Sequence, residues 1–238
     1  MTLGQRVAAT TAVLLAATCT LANADPLAAE ATDNATVQVA GPRTGANGKN
    51  FFNIEGSANG AFASYGVADF SFGILPYPVI AINSMQLQLT QSNAAFSATG
   101  PVVISLDQSS PLANIQPGTS PLANDGVDPG TATDVTQGDL SLLALGGGPF
   151  VYTPIANGSV DSYTFTLDAP STTELINRLN SGATIRLAIG SGASSLAATW
   201  AGFSNATYSG PMLNLDVVYN TGVPTRPATW GGVKAAYR

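Results

Sequence analysis

An all-β fold, an antiparallel β-sandwich with one short helix, is what this 238-residue sequence predicts, and three observations carry it. Apolar and polar residues alternate in Met85-Gln86-Leu87-Gln88-Leu89-Thr90, in residues 184–189 and in residues 213–219, a period of two that sends alternate side chains to opposite faces of a strand. Glycine and proline turn signals separate these runs, where a parallel fold would place helices. A single stretch, after Pro170, carries a helix start.

Residues 1–24 read as a secretory signal peptide. Arg6 supplies the positive region, residues 7–21 are apolar, and Ala22-Asn23-Ala24 is a small-x-small cleavage site before Asp25. The apolar part is too short and too rich in threonine to span a bilayer, so no stable membrane insertion is expected after cleavage. Ala16 and Thr18 do not suit a lipobox at Cys19. Residues 25–49 are small and polar, with turn signals at Gly41-Pro42 and Asn47-Gly48, and read as a flexible leader with one short strand at 36–39.

The sandwich is expected over residues 50–219. Phe51, Phe52 and Ile54 mark a first strand, and Ala68, Phe70 and Phe72 the inward face of a second. Pro76-Tyr77-Pro78 breaks the chain before the Met85 strand, whose Met85, Leu87 and Leu89 point inward and whose Gln86, Gln88 and Thr90 point outward. After the Gly100-Pro101 turn, residues 102–106 form another strand. The run 107–138 reads as a long insertion containing a ten-residue echo, Ser110-Pro111-Leu112-Ala113-Asn114 and Ser120-Pro121-Leu122-Ala123-Asn124. Strands resume at 140–145, 150–152 and 163–167. Ser171 and Glu174 have the spacing of a capping box, Leu175, Ile176 and Leu179 share a face, and Gly182 suits the C-terminal cap of a short, lid-like helix. The two last strands follow, half-buried, with an aromatic loop from Trp200 to Tyr208 between them. The sandwich is expected to be of jelly-roll type.

Composition excludes whole classes of chemistry. Histidine is absent, which removes Ser-His-Asp and Cys-His nucleophilic machinery and any histidine-ligated metal. The one cysteine, Cys19, lies in the signal-like segment, so no disulfide or thiolate site is expected in the mature chain. Eight Lys plus Arg face 14 Asp plus Glu, a net charge of −6 that repels nucleic acid and anionic lipid. Hydroxyl and amide side chains dominate instead, a surface suited to polysaccharide.

Two site candidates follow. Sugar-binding surfaces set flat aromatic rings among amide and hydroxyl donors, which singles out Trp200, Tyr208, Asn205, Tyr77 and Tyr152 in or near turns; the same residues can equally close the ends of a sandwich. Asp125, Asp128, Asp134 and Asp139, spaced by glycines and a proline, could wrap oxygen ligands around a structural Ca²⁺, or serve turn chemistry alone. No other cofactor is expected. Paired-carboxylate hydrolysis is the only catalytic instrument left, and no pair among Glu55, Asp69, Asp161, Asp168, Glu174 and Asp216 stands out.

The order of pieces resembles the DNRLRE-type secreted β-sandwich modules, relatives of carbohydrate-binding modules. Asp69-Phe70-Ser71, Met85 to Leu89, Gly100-Pro101-Val102, the helix ending at Gly182, and Pro211-Met212-Leu213-Asn214-Leu215 with Val217 and Tyr219 carry the likeness, which covers roughly residues 51–219. Where that family has Arg and Asp around its first Phe, this chain has Asp69 and Ser71, so no binding residue carries over. In the tail at 220–238, Val223-Pro224-Thr225-Arg226-Pro227-Ala228-Thr229-Trp230 is similar to the start of the PEP-CTERM sorting signal of exopolysaccharide-associated bacterial proteins, in a truncated form with no apolar segment behind it. The resemblances imply a secreted protein of the bacterial surface or extracellular matrix, not an enzyme, with polysaccharide or other matrix components as partners and no nucleic acid. The alternatives are a purely structural or adhesive matrix protein and a carboxylate-dependent glycan hydrolase or lyase.

Overall fold

The computed structural model describes residues 24–125 and 140–221. The signal-like segment up to residue 23, three of the four candidate calcium ligands (Asp128, Asp134 and Asp139) and the sorting-like tail lie outside them. Among the described residues no helix is long and apolar enough to cross a membrane.

Among the described residues there are twelve strands: β1 (Ala24–Gln38), β2 (Gly41–Pro42), β3 (Phe51–Glu55), β4 (Ser64–Phe70), β5 (Val79–Thr90), β6 (Gly100–Asp107), β7 (Leu142–Ala144), β8 (Phe150–Tyr152), β9 (Val160–Phe165), β10 (Ile185–Ser191), β11 (Ala197–Ala201) and β12 (Met212–Tyr219). All pairings are antiparallel, in the order β7-β6-β10-β4-β1-β12-β5-β9, so the all-β expectation holds. The two layers are halves of one curled sheet. β1 is the corner strand: residues 24–30 pair with β12 and residues 31–38 with β4, with a register shift between Ala31 and Asp33 at the changeover. A bulge of this kind bends a strand and raises its twist, which is what carries β1 from one layer to the other.

The flexible leader expected at 25–49 is therefore a correction: most of it is a central strand. Its polar residues hid it, because they are satisfied by distant partners. Asn34, fully buried, donates to the Phe51 carbonyl and accepts from the Phe203 amide, and the Thr36 hydroxyl accepts from the Asn53 amide.

Between the layers lies one core of alternate residues. Met85, Leu87 and Leu89 from β5, Leu213, Leu215 and Val217 from β12, and Ile185, Leu187 and Ile189 from β10 are buried in it, as the period-two pattern predicts. The β3–β11 ribbon closes one end, turning Phe52, Ile54, Ala198 and Trp200 inward. Phe52 lies so close to β4 that a Cβ on Gly66 would come within 2.6 Å of its ring; only glycine leaves that space.

The outward faces of the two layers differ. Across β1, β4 and β10, the residues Ala35, Val37, Tyr65, Val67 and Ala188 form a second apolar cluster with Ile115 and Leu122 from the segment expected to be a long insertion, and with Leu140 beyond it. β10 is consequently buried at every position, not half-buried. Arg186 stands in the covered face, donating in a fork to both Asp69 carboxylate oxygens at 2.7 and 2.9 Å and to the Ala113 carbonyl of the covering segment. Asp107 holds the segment's two ends, accepting from the Ser109 and Ser141 amides.

The helices also correct the sequence reading. A single turn, α1 (Asn47–Asn50), occupies the Asn-Gly signal. The main helix, α2 (Ala169–Ser181), is capped by Asp168, whose carboxylate accepts from the Ser171 amide, with Pro170 in the first turn. Glu174 does not reach back as a capping box requires; it accepts from Arg178 at 2.6 Å. Nor is α2 a lid, since Leu175 and Leu179 are buried in the core and Arg178 donates to the Thr184 and Ser109 carbonyls. Gly182 ends it with φ of 66°, as expected.

Candidate functional site

The strand pattern decides the fate of Trp200. It lies in β11, not in a loop, and its ring is fully buried against Tyr152, Phe52 and Tyr163, the first at 5.1 Å in an edge-on arrangement. Its indole N–H donates to Asp161 at 2.9 Å. A ring with no solvent-facing surface cannot stack on a sugar, so Trp200 leaves the ligand-binding set. Tyr152 leaves with it: the ring is fully buried and its hydroxyl donates to Gln91 at 2.6 Å, whose amide in turn donates to the Thr199 carbonyl. Both are the polar-edged aromatics that close a sandwich end. Burial pushes the Asp161 carboxyl above its ordinary value, and the Trp200 N–H partly offsets this.

Tyr77 is half exposed and meets Tyr219 edge-on at 6.3 Å, beside Asn180. It belongs to the far end of β12 from Tyr208, about 23 Å of strand away at 3.3 Å per residue. The two tyrosines do not share a site.

Tyr208 and Asn205 do. Asn205 makes an Asx turn, its side-chain oxygen accepting from the Thr207 and Tyr208 amides at 2.9 Å each, while its amide donates to the Asn50 carbonyl. Asn205 is thus a positioning residue for Tyr208. The Tyr208 ring lies over Gly158, which has φ of 86° and whose missing Cβ would sit 3.1 Å from the ring. Tyr208 lines a cleft of about 310 Å³ with Gln88, Thr90, Val160, Ser209 and Met212.

This cleft continues onto the outer face of β5, β9 and β12. Asn214 stands opposite Gln86, and Gln86 opposite Thr164, across the three strands. Gln88 donates to Gln86 at 3.0 Å, and Gln86 donates to the Thr164 hydroxyl at 3.2 Å, a chain of amide and hydroxyl groups along an uncovered sheet. A second depression of about 490 Å³ lies here, with Ser84, Gln86, Thr164, Asn214 and Asp216 on its walls. The sequence identified Gln86 and Gln88 as outward residues; only the pairing register shows that they join Thr164 and Asn214.

No protein-family model matches the chain. Comparison with curated proteins gives no match either.

Most of the carboxylates weighed for catalysis have structural partners. Asp69 pairs with Arg186, Glu174 with Arg178 and Asp161 with Trp200; Asp168 caps α2, and Asp216 accepts from Asn83 at 3.4 Å. Of the candidate calcium ligands only Asp125 falls among the described residues, and among those residues no group of three or more Asp, Glu, Cys or His is placed to hold a metal ion.

Proposed function

We propose that the protein is a secreted, non-catalytic component of an extracellular matrix or cell surface that binds polysaccharide along the outer face of β5, β9 and β12. The observation that supports this most is the Gln88–Gln86–Thr164 chain on an open sheet face, ending at the Tyr208 cleft. An amide offers two donors and an acceptor, and a hydroxyl offers both roles, which matches the rim of a sugar ring, where every hydroxyl both donates and accepts. Tyr208 adds an aromatic face at one end, and three parallel rows of side chains suit an extended chain of sugar units better than a compact ligand. Asp216 is the one charged side chain among these walls, so attraction is not Coulombic.

A glycan array with the protein tests this. Retention of neutral glycans is expected, little changed when salt shortens the screening length from about 10 Å to about 3 Å, and weakened by Tyr208→Ala. No retained glycan at high protein concentration would contradict it, and binding to other matrix proteins in its place would favour a structural or adhesive role.

A further inference from the structure

A separate cleft, of about 390 Å³, opens on the far side of the β3–β11 ribbon from the core. The ribbon's register explains its floor. Asn53 pairs with Thr199 and Glu55 with Ala197, so while Phe52, Ile54, Ala198 and Trp200 turn inward, Asn53, Glu55 and Thr199 turn to the cleft. Two turns supply the walls. The one between β3 and β4 presents Phe62, and the one between β5 and β6 presents Phe96, 57% and 77% exposed. Both turns are pinned to the start of β11 and the residue before it: the Asn59 side-chain amide donates to the Leu196 carbonyl at 2.9 Å, and the Ala98 amide to the Ala197 carbonyl at 2.7 Å. The phenyl rings are therefore presented on fixed backbone, and large exposed rings converging on one cleft are unusual for a surface with nothing to bind.

Asn53 gives the second, independent sign. It is 92% buried by its 8% exposure, its amide N–H donates to the Thr36 hydroxyl, and its carbonyl accepts from Ser64, yet its side-chain oxygen has no hydrogen-bond partner. A buried acceptor left unpaired is costly, and such groups are rare enough that each calls for a reason. Burial also raises the Glu55 carboxyl, with the Arg43 charge and an Asn53 hydrogen bond opposing it.

We infer that this cleft binds a single pyranose unit, with an apolar ring face on Phe62 or Phe96 and ring hydroxyls donating to the Glu55 carboxylate and the Thr199 hydroxyl. A ligand that must offer a flat apolar face to phenyl walls and O–H donors to a carboxylate and a hydroxyl on the floor has the chemistry of a sugar ring, and the volume lies near the lower end of small-molecule sites. The inference rests on the polysaccharide reading but uses a separate site: the open face of β5, β9 and β12 takes a run of sugar units, and the Phe62–Phe96 cleft takes one terminal or branching unit.

Saturation-transfer NMR on the full chain with the methyl glycosides of glucose, galactose, mannose and N-acetylglucosamine tests it. Transfer to at least one glycoside is expected, with affinity about fivefold to tenfold lower in Phe96→Ala and in Phe62→Ala; both rings are exposed, so neither change opens the core. Absence of transfer to all four glycosides, or transfer that both phenylalanine substitutions leave intact, overturns the cleft. If polysaccharide is still retained in that case, the sheet-face reading survives; if polysaccharide is not retained either, both readings fall.

Discussion

The two outward faces of the curled sheet are built from the same period-two strands and meet opposite fates. Outside β4 and β10 stand Tyr65, Val67, Arg186 and Ala188, and residues 108–125 lie over them with Ile115 and Leu122. Outside β5, β9 and β12 stand Gln86, Gln88, Thr164 and Asn214, and these line open clefts. Small and apolar residues on the first face allow a covering segment to bury area; amides on the second would lose water without enough partners if covered. Alternation alone therefore does not say whether a sheet has one wet face. The chemistry of the outward residues does: the covered face contributes stability, and the bare face stays open to solvent.

Substitutions separate the faces, and the largest effect belongs to the covered one. Arg186→Ala leaves Asp69 and the buried Asp107 without their cation, and a loss of about 3–5 kcal/mol is expected in urea unfolding. Leu122→Ala, which empties a buried position under the covering segment, should cost about 2–3 kcal/mol. Neither should weaken polysaccharide retention by the folded protein.

The third effect depends on pH. Burial raises the Asp161 carboxyl above its ordinary value of 3.8, so the native state keeps a proton that the unfolded chain has released. Stability from this group is full below the ordinary value and falls as pH climbs through the raised one. Asp161→Asn cannot ionise and still offers an acceptor to Trp200, so its melting temperature relative to the parent should rise between about pH 4 and pH 7. A constant difference across that range would contradict the assignment. Smallest of all in stability is Gln86→Ala on the bare face, within about 0.5 kcal/mol, while retention of polysaccharide drops.

The strands with clean alternation were legible, and so was the direction of their side chains: Met85, Leu87, Leu89, Leu213, Leu215 and Val217 are all buried. What the sequence hid was decided by partners far along the chain. β1 reads as polar because Asn34 and Thr36 find their hydrogen bonds on β3 and near Phe203. Trp200 reads as a loop aromatic because the carboxylate that accepts its N–H, Asp161, is 39 residues earlier. The Phe62–Phe96 cleft is assembled by the β3–β11 register, which no local pattern encodes. A signal was present even so, since each phenylalanine stands at the end of an Ala-, Asn- or Gly-rich turn, outside any alternating run. Tyr208 and its partner Asn205 are the part of the candidate site that sequence and structure share.

A ¹H–¹⁵N NMR titration of the protein with an oligosaccharide cut from a retained polysaccharide tests the distinction between the faces most directly. Backbone amides at 84–90, 160–166 and 207–216 should shift together, while those of the covering segment, 108–125, stay still. Shifts confined to the covering segment, or spread evenly over both faces, would contradict the assignment of the bare face as the binding surface.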